Sequence, residues 1–396
     1  MAVTTSENVL EPVQRRGRDA LARIGLPTRD QEPWRFTDLR RLEHLSRLPR
    51  TTTSLSAASP APAADVVRLA LDGIRDPLEN IKLPAGITRL DPVELQQALG
   101  HTLDRCGCAE AWPVELNHAS SQQVLALRVR GKTPALELLL AAGEGLAATR
   151  VLLLLEEKAD LDLLQVCLAE GASAHSHVLE VHLGQEAQLR HGLLALGDGQ
   201  PSLLAHLAVE QEPRSAYQLT SVVKGWSLGR VEPRVVQVDG QANSNLKGLA
   251  VAAGDQQLAT HTSVRFDGPD GALDQLQKCL AAGRSHTIFN GAIRVPRQAQ
   301  RTNAAQLSRN LMLSERARVD TKPELEIVAD DVRCAHGATV SQLQEDELFY
   351  LQSRGIAAAE AAALLLRGAC QEIIEELPPQ AGPWKPLERV MNGLAL

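Results

Sequence analysis

The sequence predicts a mainly β protein whose core is flanked by helical regions at both ends. Short apolar or alternating runs, such as 151–155 and 178–183, follow one another from about residue 118 to residue 342. Asp-Gly turns, for example Asp198-Gly199 and Asp239-Gly240, separate runs of this series, as is typical of strands joined by tight connections. Because no helical pattern interrupts the series, alternating βαβ units are not expected, and a sandwich, a barrel or a β-solenoid remains open.

The region before this core, residues 1–117, is predicted to be partly helical. Charged and apolar residues mix at helical spacing from 9 to 48. A stretch rich in Thr, Ser, Ala and Pro occurs at 50–64 and predicts a flexible connector. Residues 1–10 lack the basic start and the apolar run of a signal peptide, so export is not expected.

Helical periodicity returns after the core, in residues 343–396. One helix is predicted at 346–355 and a second at 357–377, where Pro378 and Pro379 stop it. The second helix is amphipathic, so its apolar side chains are expected to cover the end of the β core or to dock a partner protein. These side chains include Leu364, Leu365, Ile373, Ile374 and Leu377.

Composition and charge argue against several classes of function. The chain has 396 residues, 44% of them hydrophobic, and a formal net charge of −7. Its basic residues are scattered, which argues against a nucleic-acid or anionic-membrane partner. No apolar run reaches the roughly 18 residues of a membrane span. Six cysteines in so long a chain indicate free thiols rather than a disulfide framework. We therefore expect a cytoplasmic protein.

Three short motifs do not support an enzymatic or zinc-binding function. Residues 225–229 have the Gly-x-Ser-x-Gly letters of a hydrolase elbow, but a strand pattern comes next where the elbow requires a helix. Gly-Lys-Thr at 131–133 resembles the end of a phosphate-binding loop, but Ala126 stands where that loop needs a glycine. Cys106 and Cys108 lack the second cysteine pair of a structural zinc site.

Four histidines occur close together within the β region. They are His175, His177, His182 and His191. No cysteine or carboxylate stands at ligand spacing to complete a first coordination shell. We therefore expect these side chains to be solvated or hydrogen-bonded rather than metal-bound.

The densest chemistry of the chain lies at 329–338, where two carboxylates, a thiol and an imidazole occur together. If residues 332–340 form a strand, Cys334 and His336 point to the same face. Asp330 and Asp331 are adjacent in sequence, so they would face opposite sides of a strand and make a poor acid and base pair. Thiolate and imidazole are ligands of iron and zinc, and this pair supplies half of a tetrahedral site. The other interpretation is a packed cysteine and a structural histidine.

Segments near both ends share a recognisable pattern. They are Glu-Pro-Trp-Arg-Phe-Thr-Asp-Leu at 32–39, Gln-Arg-Thr-Asn at 300–303, Asn-Leu-Met-Leu-Ser at 310–314, Pro-Glu-Leu-Glu-Ile-Val-Ala-Asp-Asp-Val-Arg-Cys-Ala-His-Gly-Ala at 323–338, and Leu-Phe-Tyr-Leu-Gln-Ser-Arg-Gly-Ile at 348–356. These segments resemble the SufB/SufD family of iron–sulfur cluster assembly proteins, and its SufD branch in particular. The match is strong over the last third of the chain and moderate over the first forty or so residues, while the middle fits in general character.

This resemblance implies a right-handed parallel β-helix between the helical ends. It also implies partners, because members of the family pair with a homologous SufB subunit through their β-helices and bind the ATPase SufC through the carboxy-terminal region. The expected function is that of a scaffold subunit, not catalytic on its own, in a complex that builds iron–sulfur clusters. No cofactor is expected on the chain alone. Iron or a nascent cluster is expected in the complex and ATP on SufC, and a homodimer remains open for the chain by itself.

The resemblance further implies a site. SufB chains typically have His-Glu at the place of His336 and Gly337, and by alignment a reactive cysteine of SufB corresponds to Ser308. This chain therefore lacks both reactive groups and is not expected to assemble clusters alone. His336, with Cys334 as a second candidate, is expected to contribute ligands for iron or a nascent cluster at the interface with the partner.

Two other functions remain open from the sequence. An independent β-helical enzyme acting on a polysaccharide is the main alternative. It predicts aromatic platforms and paired carboxylates, and the aromatic content of 3% argues against it. A self-associating scaffold without metal is the other, and it predicts no loss of function when His336 is changed.

Overall fold

The structure is a computed structural model that describes residues 6–51, 59–141 and 143–394, without the side chains of residues 6–8. Seven of the fifteen residues of the predicted connector at 50–64, positions 52–58, lie outside the described residues. Residues 1–5, half of the segment in which no signal-peptide pattern is found, also lie outside them.

The core is a parallel β-solenoid built from two sheets of nine strands each. One sheet contains β1 (Val66–Leu71), β4 (Ala135–Ala141), β6 (Asp160–Ala169), β8 (Gln188–Gly197), β10 (Ala216–Lys224), β12 (Asn243–Ala252), β14 (Ala272–Ala281), β16 (Asn303–Met312) and β18 (Arg333–Ser341), in that order. The other contains β2 (Ile87–Arg89), β3 (Leu125–Val129), β5 (Gly145–Leu155), β7 (Ser173–Leu183), β9 (Ser202–Gln211), β11 (Leu228–Gln237), β13 (Gln257–Phe266), β15 (His286–Val295) and β17 (Arg318–Ile327), in that order.

The pairing of the strands decides between the architectures that the sequence left open. From β3 onward the chain alternates between the two sheets, and each strand pairs in parallel with the strand two places further along. In the described part only β2 and β3 pair antiparallel. A sandwich or an up-and-down barrel of hairpins would be antiparallel, so the structure excludes both and confirms the solenoid.

Side chains alternate between the inside of the solenoid and its outer faces, and both locations are covered in the middle coils. Leu193, Leu207 and Val235 lie in the interior cluster, whereas Leu194 and Val222 lie in a second cluster on the outside of the β6–β16 sheet. Every residue of β9 is buried. Burial on both faces explains why several strands read as continuous apolar runs rather than alternating ones.

The predicted turns are present between the strands. Gly184 comes directly after β7, Asp198-Gly199 separates β8 from β9, and Asp239-Gly240 separates β11 from β12. Asp239 and Gly240 both have positive φ angles, 59° and 81°. Glycine and aspartate are among the residues that adopt this backbone region most readily, so the dipeptide favours the tight reversal.

Helices precede and follow the main series of strands. The amino-terminal ones are α1 (Ser6–Ile24), α2 (Leu39–Ser46), α3 (Pro92–Ala98), α4 (His101–Arg105) and α5 (Trp112–Ser120), with a 3₁₀ turn at Glu32–Trp34. The carboxy-terminal ones are α6 (Glu345–Ser353), α7 (Ala358–Ile374) and α8 (Pro386–Met391), with a 3₁₀ turn at Pro379–Trp384. Within the described ranges, no helix combines the length and the apolar character needed to cross a membrane.

Helix α7 covers a face of the solenoid and not its end, which corrects the first of the two roles expected for it. Its buried side chains Leu366, Cys370 and Ile373 pack in one cluster with outward side chains of the sheet that runs from β1 to β18, such as Leu194 and Leu249. Leu364, expected in the apolar stripe, is exposed. The helix lies along the side of the solenoid because its apolar face is buried there against the apolar outer face of β6 to β14.

Candidate functional site

The solenoid ends at β17 and β18 without a helix or strand of the described chain stacked on them. Each of these strands has a neighbour on one side, so its other edge carries unpaired backbone groups. Three large apolar side chains are exposed here, Ile327, Val328 and Val340. An open sheet edge with exposed apolar side chains is the kind of surface that another chain covers.

Cys334 and His336 lie on β18, at this open end. The predicted strand is present, and its register pairs Cys334 with Ala304 and His336 with Gln306 of β16. Ala304 belongs to the interior cluster and Gln306 is buried, so both β18 side chains lie on the inward face of the last rung. Cys334 is half-buried against the core, whereas His336 is exposed because no further coil stacks above it.

Burial also sets the protonation of the thiol. Partial burial raises the pKa of Cys334, and a hydrogen bond from the backbone of Ala304 opposes this in part. The metal-free chain therefore holds a neutral thiol there at neutral pH, and a thiolate would require a bound cation. Among the described residues no three His, Cys, Asp or Glu side chains come together as a metal-holding group. Cys334 and His336 thus present at most two donors.

The interior beneath this rung is polar, unlike the aliphatic core of the earlier coils. Gln275 and Gln306 form a hydrogen bond of 2.9 Å between Oε1 and Nε2, and Asn310 donates to Ser308 Oγ at 2.9 Å. Thr321 of β17 lies 3.1 Å from the same Ser308 hydroxyl. Because this polar interior continues to the open end, its side chains can form hydrogen bonds with a chain that covers that end.

The amino-terminal box at 32–39 lies on the outer face of the sheet that runs from β2 to β17. Arg230 of β11 places its guanidinium 4.1 Å from the ring centre of Trp34 and donates to the carbonyl oxygen of Pro33 at 2.9 Å. Lys322 of β17 pairs with Glu32 at 2.6 Å. A pocket of about 200 Å³ lies between the box and β13 to β17. The box is therefore attached to the coils that form the open end.

The four histidines predicted as a loose cluster lie on both faces of the sheets, some inside the solenoid and one outside it. His177 and His191 are buried inside the solenoid, and each lies 2.9 Å from the amide of Gln165. Thr149 and Tyr217 extend this chain of hydrogen bonds at its two ends, at 2.8 and 3.0 Å. These two side chains are hydrogen-bonded, as the sequence predicts.

The other two histidines of the cluster have different surroundings. His175 is buried inside, where its Nε2 lies 3.2 Å from the carbonyl oxygen of Leu168 and its ring packs edge-on against Trp226 at 6.0 Å. His182 points outward between Glu210 and Glu212, and Glu210 raises its pKa. The four rings thus do not meet in one place.

The weak motifs have structural roles. Trp226 and Ser227 form the turn between β10 and β11, and β11 stands where a hydrolase elbow would need a helix. Cys106 and Cys108 lie at the end of α4, and all six cysteines are free thiols. The sequence did not identify Arg230 or Gln306 as important positions. A buried arginine beside a tryptophan and a buried glutamine column are visible once the strands are in register.

Comparisons with known proteins agree with this architecture. The family model described as the SufBD core domain of the SUF system for FeS cluster assembly matches residues 138–369. An iron–sulfur cluster assembly SufBD family protein of Synechocystis sp. is 32% identical over 421 residues, which cover 96% of this chain and 90% of the relative.

Two further relatives have the same character. The iron–sulfur cluster assembly protein SufD of Escherichia coli is 29% identical over 391 residues, covering 93% of this chain and 90% of that protein. A chloroplastic protein of Arabidopsis thaliana, ABCI7, is 38% identical over 233 residues, covering 58% of this chain and 49% of that protein. With a family match over more than half of its length, the chain belongs to the SufBD family of SUF-system iron–sulfur cluster assembly proteins.

Proposed function

We propose that this chain is a SufD-type scaffold subunit that pairs through the open end of its solenoid with a SufB-like homologue, in a complex driven by a SufC-like ATPase. The observation that carries the proposal is the position of Cys334 and His336, on the inward face of the last rung at an end that nothing in the described chain covers. Iron or a nascent cluster is the cargo of this site, and the chain by itself performs no catalysis.

The open end has the features of a surface for strand pairing. β17 and β18 are two long strands with free edges, and apolar side chains such as Val340, 44% exposed, lie among them. A second solenoid could continue both sheets by pairing its own terminal strands with these edges. The family membership favours a homologous partner, since a homologue would present the same two-sheet cross-section.

The two donors at this end explain why a partner is needed. A tetrahedral iron or cluster-iron site takes four ligands, and Cys334 and His336 supply two. Pairing would bring the partner's side chains across the interface and would also exclude water. The raised pKa of the Cys334 thiol favours His336 as the first ligand, because a neutral imidazole needs no deprotonation by the metal.

The ATPase is proposed to dock on the carboxy-terminal helices. Helix α6 has no buried residue, and its Phe349 and Tyr350 are 72% and 58% exposed. Leu364 of α7 is exposed as well. Aromatic side chains are enriched at protein interfaces, and two neighbouring exposed ones on a short helix suit a docking surface. The free cysteines favour a reducing compartment such as the cytoplasm.

The test is purification of the tagged chain under anaerobic conditions from its own cells, with measurement of copurifying proteins, iron and sulfide. We expect a β-helical homologue and an ATPase to copurify, and iron and sulfide to fall in His336→Ala. Thr339→Ala is the matched control, because Thr339 lies on the outward face of the same strand. Recovery of the chain alone, without iron and unaffected by His336→Ala, would overturn the proposal.

The polysaccharide-acting enzyme is not favoured. Such an enzyme needs exposed aromatic platforms on which sugar rings stack. All four tryptophans of the chain are buried, and the exposed Phe349 and Tyr350 lie on helix α6 rather than on the strands of the solenoid. Self-association without metal predicts that His336→Ala leaves the complex and its iron content unchanged, so the same experiment separates it from the scaffold.

A further inference from the structure

A short column of amide groups runs through the polar interior toward the open end. Gln275 Nε2 donates to Thr262 Oγ1 at 2.9 Å, and Gln306 Nε2 donates to Gln275 Oε1 at 2.9 Å. These bonds run in one direction, so the column ends in the carbonyl oxygen of Gln306. That oxygen is buried and has no hydrogen-bond partner among the described residues.

The amide of Gln306 is held in place from two sides. Its Nε2 is bound to Gln275, and its side chain crosses the interior to pack against Gly291 of β15. A Cβ atom at Gly291 would lie 2.3 Å from Gln306 Nε2 and 2.8 Å from its Cδ, so the amide occupies the space that any larger residue would need. Gln306 is 2% exposed. The unpartnered oxygen is therefore fixed before any ligand arrives.

The residue in register with Gln306 on the last strand, β18, is His336. The two residues are Cα partners on neighbouring strands and share the inward face. Thr321, which also faces inward at this end, already makes a hydrogen bond with Ser308. A buried carbonyl without a donor is unfavourable, and a neutral imidazole has one N–H to donate and one nitrogen lone pair to keep.

We propose that Gln306 is a positioning residue for His336. The structure shows no hydrogen bond between these two side chains. In the proposed arrangement the exposed His336 side chain rotates so that one ring N–H donates to Gln306 Oε1, which fixes the tautomer and the orientation of the ring and leaves the other nitrogen directed out of the open end as a ligand for iron. Histidines that bind metals usually donate their second ring N–H to a carbonyl or carboxylate in this way. The inference rests on the proposed function for the role of the outward nitrogen, but the hydrogen bond itself does not.

The test is the tautomer of His336 in the metal-free full chain, read from the two ring ¹⁵N chemical shifts of ¹⁵N-histidine-labelled protein at alkaline pH. His336→Ala identifies the signals. We expect a single dominant tautomer in the wild type, and shifts that move toward those of a free imidazole in Gln306→Met, which keeps the length of the side chain without the oxygen.

The matched control is Gln277→Met. Gln277 is also buried and inward-facing. It pairs in register with Ser308 of β16, which pairs with Ala338 of β18, so it is not in register with His336. It should leave the His336 shifts unchanged. Identical His336 shifts in wild type and Gln306→Met would overturn the inference, as would an equal change in Gln277→Met.

A second measurement separates this inference from the proposed function. Iron affinity of the purified complex is expected to fall about 10- to 100-fold in Gln306→Met, the usual effect of removing such a partner. If the tautomer responds to Gln306 but His336→Ala retains iron, the hydrogen bond stands and the ligand role is wrong. If iron is lost in His336→Ala, but Gln306→Met changes neither the tautomer of His336 nor the iron affinity of the complex, the ligand role stands and the positioning role is wrong.

Discussion

Mild acid is expected to destabilise the solenoid through the imidazoles buried inside it. His177 and His191 are enclosed in the core and linked through Gln165. Burial lowers the pKa of each to about 3. Both rings are therefore neutral in the folded chain at pH 5, whereas the unfolded chain would protonate them there.

The magnitude is set by the difference in bound protons. An imidazole in the unfolded chain has a pKa of about 6.5, so below that pH the unfolded state binds more protons and stability falls as the pH falls toward the folded-state value. Between pH 8 and pH 5 each ring is expected to lower the free energy of unfolding by about 2 kcal/mol, and His177 and His191 together by about 4 kcal/mol.

The assay is urea unfolding monitored by circular dichroism at a series of pH values from about 8 to about 5. The double variant His177→Gln, His191→Gln is expected to lose about 4 kcal/mol less than the wild type over this interval. Tyr217→Phe is the control, because it removes the hydrogen bond to His191 without removing an imidazole and should lower stability while keeping the pH dependence. A double variant with the wild-type pH dependence would refute the reasoning.

Three further outcomes are expected from the packing. Leu366→Ala in α7, a residue 1% exposed, should cost about 2–5 kcal/mol in urea unfolding, whereas Leu364→Ala, 45% exposed, should change stability by less than about 0.5 kcal/mol. Arg230→Met leaves the buried Glu232 with one cation fewer and should lower the free energy of unfolding by about 3–5 kcal/mol. The amino-terminal box should then be cleaved faster by proteases, and unchanged proteolysis would contradict the anchoring role of Arg230. Phe349→Ser should abolish copurification of the ATPase at an unchanged urea midpoint, and retention of the ATPase would place the docking surface elsewhere.

Much of the local structure could be predicted from the sequence. Strand patterns and Asp-Gly turns depend on neighbouring residues, so the series of strands and turns such as Asp239-Gly240 were predictable. The common facing of Cys334 and His336 also depends on strand geometry alone, since residues two apart share a face. The resemblance added the architecture, because alternation does not say which strands pair.

The tertiary structure decided which face is inside and where the solenoid stops. Both faces of the middle strands are buried, so alternation could not tell that His177 and His191 lie in the interior while His182 lies outside. Helix α7 was expected either to cover the end of the core or to dock a partner, but the apolar face against which it packs lies along the side of the solenoid. Coils that are far apart in sequence stack in one register, and the stack then ends at β18. In the described part of the chain, this ending leaves Cys334 and His336 on an uncovered strand and the oxygen of Gln306 without a partner.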